Sequence, residues 1–140
     1  MRYVDTSVLL AYLMPETGSE AAEAFMLSAG EPLAVSSWTE VELLSALGVK
    51  LRSRQLTEAA ARAVLDTYSR LISPQLRHIA VEDADHRQTL LLLEGWRTGL
   101  RAGDGLHLAI AQAHGATLYT LDRALTAAGN TLGITVELLG

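Results

Sequence analysis

Short apolar runs that lead into helix-capping residues recur along this chain, and that alternation most constrains its fold. Residues 2–5 read as a buried strand, after which Asp5-Thr6-Ser7 offers three capping residue types before Val8–Leu13, a helix stopped by Pro15. Gly18-Ser19-Glu20 opens a second helix that ends by Gly30, and Leu33–Ser36 forms the second strand. Ser37 or Thr39 then caps a helix whose apolar stripe is Val41, Leu44, Leu47 and Leu51. Thr57-Glu58 starts another, with Val64, Tyr68, Leu71 and Ile72 on one face and Pro74 at its end. His78–Val81 is a third strand, and Asp83 or Asp85 begins a long helix through Leu90–Leu93 and Trp96. Asp104 caps a helix ending at Gly115, Leu118–Thr120 is a fourth strand, and Asp122 caps Arg123–Ala128, which ends at Gly129. Ile134–Leu138 is the last strand. Strands that alternate with helices predict an α/β fold, its sheet mainly parallel and covered by helices on both faces. At 140 residues, without repeats or an interdomain linker, residues 1–140 form one domain large enough to bury its own core.

Composition narrows the function classes. The chain is 49% hydrophobic and 19% charged, which argues against disorder. It has no cysteine, which excludes disulfides and thiolate metal sites and suits a cytoplasmic setting. Asp5 and Pro15-Glu16 argue against a secretory signal, and plain apolar runs such as Leu90–Leu93 are far too short to span a membrane. The net charge of −5, from 11 basic and 16 acidic residues, is unusual for a nucleic-acid binder. A nucleic-acid ligand therefore requires grouped cations, and Lys50, Arg52 and Arg54 form one group while Arg97 and Arg101 flank a loop. Arginine forks phosphate bidentately, but the preference for arginine over lysine also fits a GC-rich genome.

Four carboxylates carry the chemistry. Asp5 and Asp122 end strand-like runs and Asp104 follows a loop, so all three stand where helices start. Each alone reads as a helix cap, a role that contributes about 1 kcal/mol. The ends of strands in an open α/β sheet are also where ligands bind. Glu40 and Glu42 lie in the helix after the second strand, and periodicity alone does not choose between them. Two unit charges about 4 Å apart cost roughly 4 kcal/mol at an effective dielectric of about 20, so converging carboxylates need a cation or protonation. That points to a divalent metal site and phosphodiester hydrolysis. Neither a Gly-x-Gly-x-x-Gly nor a phosphate-loop lysine string occurs, and no Ser-His-Asp arrangement is evident. His107 reads as a packed or hydrogen-bonded core residue, His86 and His114 as surface, and Trp38 and Trp96 as core.

The run Tyr-Val-Asp-Thr-Ser-Val-Leu at 3–9 resembles the opening of PIN-domain proteins, the ribonuclease fold of VapC-type toxins. Val35–Leu47 is similar to the family's second motif, in which a serine precedes the acid by six residues. Ser36 then selects Glu42 over Glu40. Gly103–Ala111 resembles the third motif, with Gly105 where the family often has alanine, and Leu118–Leu125 resembles the fourth. The resemblance spans residues 3 to 125 and implies a PIN-like three-layer fold with a metal-dependent endoribonuclease activity. It implies that Asp5, Glu42, Asp104 and Asp122 are the catalytic residues and hold Mg²⁺ or Mn²⁺, with Thr6 and Thr120 in support. It further implies a toxin of a VapBC-type toxin–antitoxin pair, RNA as substrate, a VapB-like antitoxin as partner and a homodimer. A non-catalytic PIN-like module binding RNA or protein is the rival from another class, disfavoured because all four acids are present. A haloacid-dehalogenase-type phosphatase requires Asp-x-Asp at the first strand, where this chain has Ser7.

Overall fold

The computed structural model describes residues 1–140. The strands are β1 (Arg2–Val4), β2 (Leu33–Ser36), β3 (Arg77–Ile79), β4 (Thr117–Thr120) and β5 (Val136–Leu138). All pair in parallel in one sheet of order β3-β2-β1-β4-β5, with Tyr3 opposite both Ala34 and Leu118. The helices are α1 (Thr6–Leu13), α2 (Ser19–Met26), α3 (Ser37–Arg52), α4 (Glu58–Thr67), α5 (Asp83–Glu94), α6 (Ala102–Ala113) and α7 (Arg123–Leu132).

Two cores follow from the period-two alternation of strand side chains. Tyr3, Ala34, Leu118 and Val136 pack with Leu106, Leu108 and Ile110 of α6 and Leu125 of α7. Val4 and Val35, one residue further along their strands, pack on the other face with Val8 and Leu9 of α1, Ala22 of α2 and Leu43 of α3. Each fully buried aliphatic chain contributes about 1.5–3 kcal/mol, so the two faces together hold the sheet between its helix layers. The predicted three-layer parallel α/β architecture is therefore observed.

The central strand positions the site. From β1 the chain moves to β2 on one side, and later returns to β4 on the other. The carboxyl ends of β1 and β4 thus meet at a topological switch point, the usual ligand crevice of such sheets.

Several local expectations need correction. The cap of α3 is Ser36, not Ser37 or Thr39, and Thr39 completes a reciprocal capping box with it. The buried stripe of α3 is Thr39, Leu43 and Leu47, while Val41 and Leu44 are each 56% exposed. Glu82 caps α5 rather than Asp83 or Asp85, and α5 ends before Trp96, which is 89% exposed with φ 45°. Asp104 is not a cap, because α6 already starts at Ala102. Helix α7 runs through Gly129 to Leu132 and is ended by Gly133 in the left-handed region. No helix is long and apolar enough to cross a membrane.

Candidate metal and catalytic site

Asp5 ends β1 and is only 5% exposed. Its Oδ1 accepts from Ser7 Oγ at 2.6 Å and from the Val8 amide at 3.3 Å, and its Oδ2 accepts from Thr120 Oγ1 at 2.6 Å. Thr120, at the end of β4, accepts in turn from the Asp122 amide at 3.0 Å, and Ser7 Oγ accepts from the Leu121 amide at 3.1 Å. Two neighbouring strand ends are thereby laced together through one carboxylate. Burial pushes the Asp5 carboxyl above the usual aspartate range, and the Ser7 and Thr120 hydroxyls oppose that rise.

Glu42 reaches the same edge from α3. Its Oε1 accepts from Thr6 Oγ1 at 2.7 Å and meets His107 Nε2 at 2.5 Å. Burial raises this carboxyl, but the His107 hydrogen bond and charge, with Thr6, outweigh burial and hold it below an ordinary glutamate. Glu40 serves a different contact: its Oε2 accepts from Tyr68 at 3.0 Å. Behind His107, Nδ1 lies 2.7 Å from the Tyr3 hydroxyl, which lies 2.8 Å from Ser36 Oγ. The free Glu42 Oε2 lies against the first turn of α6, where a Cβ on Gly103 would sit 3.0 Å from it and 3.1 Å from Trp38 Cζ2. Trp38 Nε1 donates to the Gly103 carbonyl at 3.2 Å, which fixes that close approach.

Asp104 follows Gly103 in the first turn of α6, half-buried, and accepts no hydrogen bond from the protein. Burial raises its carboxyl first and the charge of Asp122 next; His107 opposes them, and Asp5 and Glu42 add smaller upward contributions. The four acids therefore share one electrostatic field. Asp122 is exposed and caps α7, its Oδ1 accepting from the Ala124 and Leu125 amides at 2.8 Å and 3.2 Å. The structure thus gathers Asp5, Glu42, Asp104 and Asp122 at one sheet edge and sets Thr6 and Thr120 on two of them.

No lysine or arginine forms an ion pair with any of these acids; His107 is the one basic side chain that touches them. No group of three or more His, Asp or Glu side chains already stands arranged to hold a metal ion. The donors nonetheless fit a hard divalent cation: all are carboxylate oxygens, and Asp104, Glu42 Oε2 and Asp122 Oδ2 accept nothing from the protein. Carboxylates this close to one another repel, and a divalent cation would offset that repulsion. A cleft of about 260 Å³ opens beside Asp104, lined by Arg97 and Leu100 on one side and by Ala124 and Ala128 of α7 on the other.

Residues 2–130 match the model of the PIN domain. The chain belongs to the PIN domain family. No curated protein sequence matches it. Solved structures share the fold at low identity. FitAcB from Neisseria gonorrhoeae superposes with a TM-score of 0.75 at 22% identity, covering 97% of this chain and 96% of that one. VapC20 from Mycobacterium tuberculosis, a toxin that cleaves the sarcin-ricin loop, gives 0.72 at 20% identity over 92% and 95%. VapBC2 from Rickettsia felis, solved bound to a DNA fragment from its promoter, gives 0.72 at 19% identity over 100% of both chains.

Ser7 and Tyr3 were not singled out from the PIN-domain sequence, yet both stand in the site's hydrogen-bond network. A serine two residues after a strand-ending aspartate is positioned for a local side-chain bond, and that signal was available for Ser7. Tyr3 carried none, because a tyrosine in a strand reads as core.

Proposed function

We propose that this PIN domain is a metal-dependent endoribonuclease that hydrolyses RNA phosphodiester bonds, and that it acts as the toxin of a VapBC-type pair. The observation that carries the reading is Asp104: a half-buried carboxylate with no hydrogen-bond donor, in the field of three others and with no arginine or lysine paired to it. Such a group has a cation as its natural partner. Asp5, Glu42, Asp104 and Asp122 would hold Mg²⁺ or Mn²⁺, which when bound supplies a water of lowered pKa and stabilises charge on the phosphate.

This chain's own residues do the rest. Ser7 and Thr120 hold Asp5 in place, and Thr6 and His107 hold Glu42, so neither carboxylate has to be ordered when substrate arrives. Arg97, in the cleft that Asp104 lines, is placed to meet a backbone phosphate. With a net charge of −5, phosphate attraction depends on such local cations. A VapB-like antitoxin accompanies this reading, by likeness to solved complexes such as the Rickettsia felis VapBC2, and so does the homodimer that the family resemblance implies.

The test is direct. The purified protein is expected to cleave bacterial RNA with Mg²⁺ or Mn²⁺, to stop with a chelator, and to arrest growth when expressed without its antitoxin. Absence of metal-stimulated cleavage across ribosomal, transfer and messenger RNA overturns the nuclease. Cleavage without growth arrest leaves the nuclease and removes the toxin.

A further inference from the structure

We infer that His107 and Tyr3 are positioning residues, which form with Ser36 a buried hydrogen-bond relay that holds Glu42 Oε1 and leaves Oε2 for a ligand. The inference rests on the proposed metal site for its consequence, but the relay itself stands on the protein's own geometry.

The relay is a continuous series of short contacts. An ionised carboxylate only accepts, so the 2.5 Å contact of Glu42 Oε1 takes its proton from His107 Nε2. Thr6 donates to the same oxygen at 2.7 Å, and Oε1 is then filled from two sides. At the other ring nitrogen, the Tyr3 hydroxyl lies 2.7 Å from Nδ1. Tyr3 itself lies 2.8 Å from Ser36 Oγ, and Ser36 Oγ already accepts from the Thr39 amide at 3.3 Å. The contacts run unbroken from the α3 capping box through Tyr3 and the imidazole to Glu42.

Burial makes the relay specific. Ser36, Thr39 and Tyr3 are fully buried and His107 is 1% exposed, so solvent does not substitute for a missing partner. The His107 ring is further held by Tyr3, with ring centroids 5.6 Å apart at a 52° tilt. The same serine and threonine that start α3 thus fix the orientation of an acid on its second turn. On the opposite side Gly103 and Trp38 leave Glu42 Oε2 just enough space and no other polar partner. Histidine tautomers fixed by a second partner are a recurring means of orienting metal-site ligands. Here the histidine acts one atom further out, on the carboxylate.

The relay is tested on four proteins: wild type, Tyr3→Phe, His107→Gln and His107→Leu. Imidazole nitrogen-15 shifts of the metal-free wild type are expected to show a protonated Nε2, and the Nδ1 shift is expected to change in Tyr3→Phe. A proton on Nδ1 with Nε2 bare overturns the relay, whether or not metal binds. Mn²⁺ affinity, measured by calorimetry, is expected to fall about 10- to 100-fold in His107→Leu, as removal of such supporting partners does. His107→Gln, which keeps a donor near the Nε2 position, is expected to recover most of it. Tyr3→Phe keeps the core volume, so a weakened site there is not a folding failure. Unchanged affinity in both His107→Leu and Tyr3→Phe overturns the positioning role, while loss of Mn²⁺ binding in Asp104→Asn with the wild-type nitrogen-15 pattern intact separates the metal site from the relay.

Discussion

Asp5 and Asp104 stand at the same sheet edge and are opposites in how they are held. Asp5 is buried and takes hydrogen bonds from Ser7, Val8 and Thr120. Asp104 is half-buried and takes none from the protein. Burial raises both carboxyls, but donors oppose the rise at Asp5, whereas at Asp104 the neighbouring charge of Asp122 adds to it and only the His107 charge opposes it. Glu42 resembles Asp5 on this axis, with Thr6 and His107 on one oxygen. One half of the site is therefore built and satisfied in advance, and the other half waits for a charge from outside. The protein carries the cost of the second half in its own stability and recovers it when a cation arrives.

The largest effect should come from removing a charge from the satisfied half. Asp5→Asn is expected to reduce RNA cleavage by at least about 10²–10³-fold, the loss typical of one charge-stabilising group. Its fold should survive, because an asparagine oxygen still caps Val8 and the Thr120 hydroxyl can turn to accept. Wild-type cleavage by a folded Asp5→Asn would remove Asp5 from the site.

Thr120→Val sharpens the same side. It removes the bond to Asp5 Oδ2 and the acceptor of the Asp122 amide at a fully buried position. A loss of about 1.5–3 kcal/mol is expected, the value for hydrogen bonds to charged groups, read by chemical denaturation. A loss under about 0.5 kcal/mol, within the range of ordinary surface substitutions, would mean that the lacing of β1 to β4 holds nothing.

Asp104→Asn should do the reverse in metal-free protein. A folded-state pKa raised above the unfolded one makes the ionised acid destabilising above that pKa and neutral in effect once both states are protonated. The variant should therefore melt higher than wild type at pH 7, and its advantage should shrink as pH falls through the raised Asp104 pKa. Solvent screening keeps the gain near or below about 1 kcal/mol, and thus about 2–4 °C in a domain of this size. Saturating Mn²⁺ should invert the order. A lower melting temperature for Asp104→Asn in chelator would break the contrast with Asp5.

Gly103→Ala is the smallest test. Its Cβ meets Glu42 Oε2 and Trp38, so the carboxylate must move by a few tenths of an ångström. Helix propensity gains up to about 1 kcal/mol from the same change. Unchanged or higher stability with a several-fold loss of cleavage is expected; full activity would mean that the position of Oε2 does not matter.

Asp5 and Asp122 were legible in the sequence because a strand end and a helix cap leave local marks. Asp104 was legible as an acid but not as a non-capping one. Glycines at 95, 99, 103 and 105 break up the sequence around it, so Asp104 reads as the cap of a helix that in fact begins at Ala102. The buried stripe of α3 differs from the expected one because its first residue is a threonine, so hydropathy favours Val41 and Leu44 over Leu43. The face predicted for Val64 to Ile72 lost register where the chain makes a π-helical turn over Tyr68–Ile72, leaving Tyr68 buried and Leu71 exposed. His107 was rightly expected in the core. Its contacts to Glu42 and Tyr3 join residues 65 and 104 positions apart, and no periodicity encodes those.

The central claim is that one divalent cation or more sits among these four acids. Anomalous diffraction from crystals soaked in Mn²⁺ tests it most directly. The account predicts a peak bonded to Asp104 and Glu42 Oε2, with Asp5 and Asp122 in the coordination shell directly or through water. Crystals that take up Mn²⁺ elsewhere and show no peak at this sheet edge would contradict it.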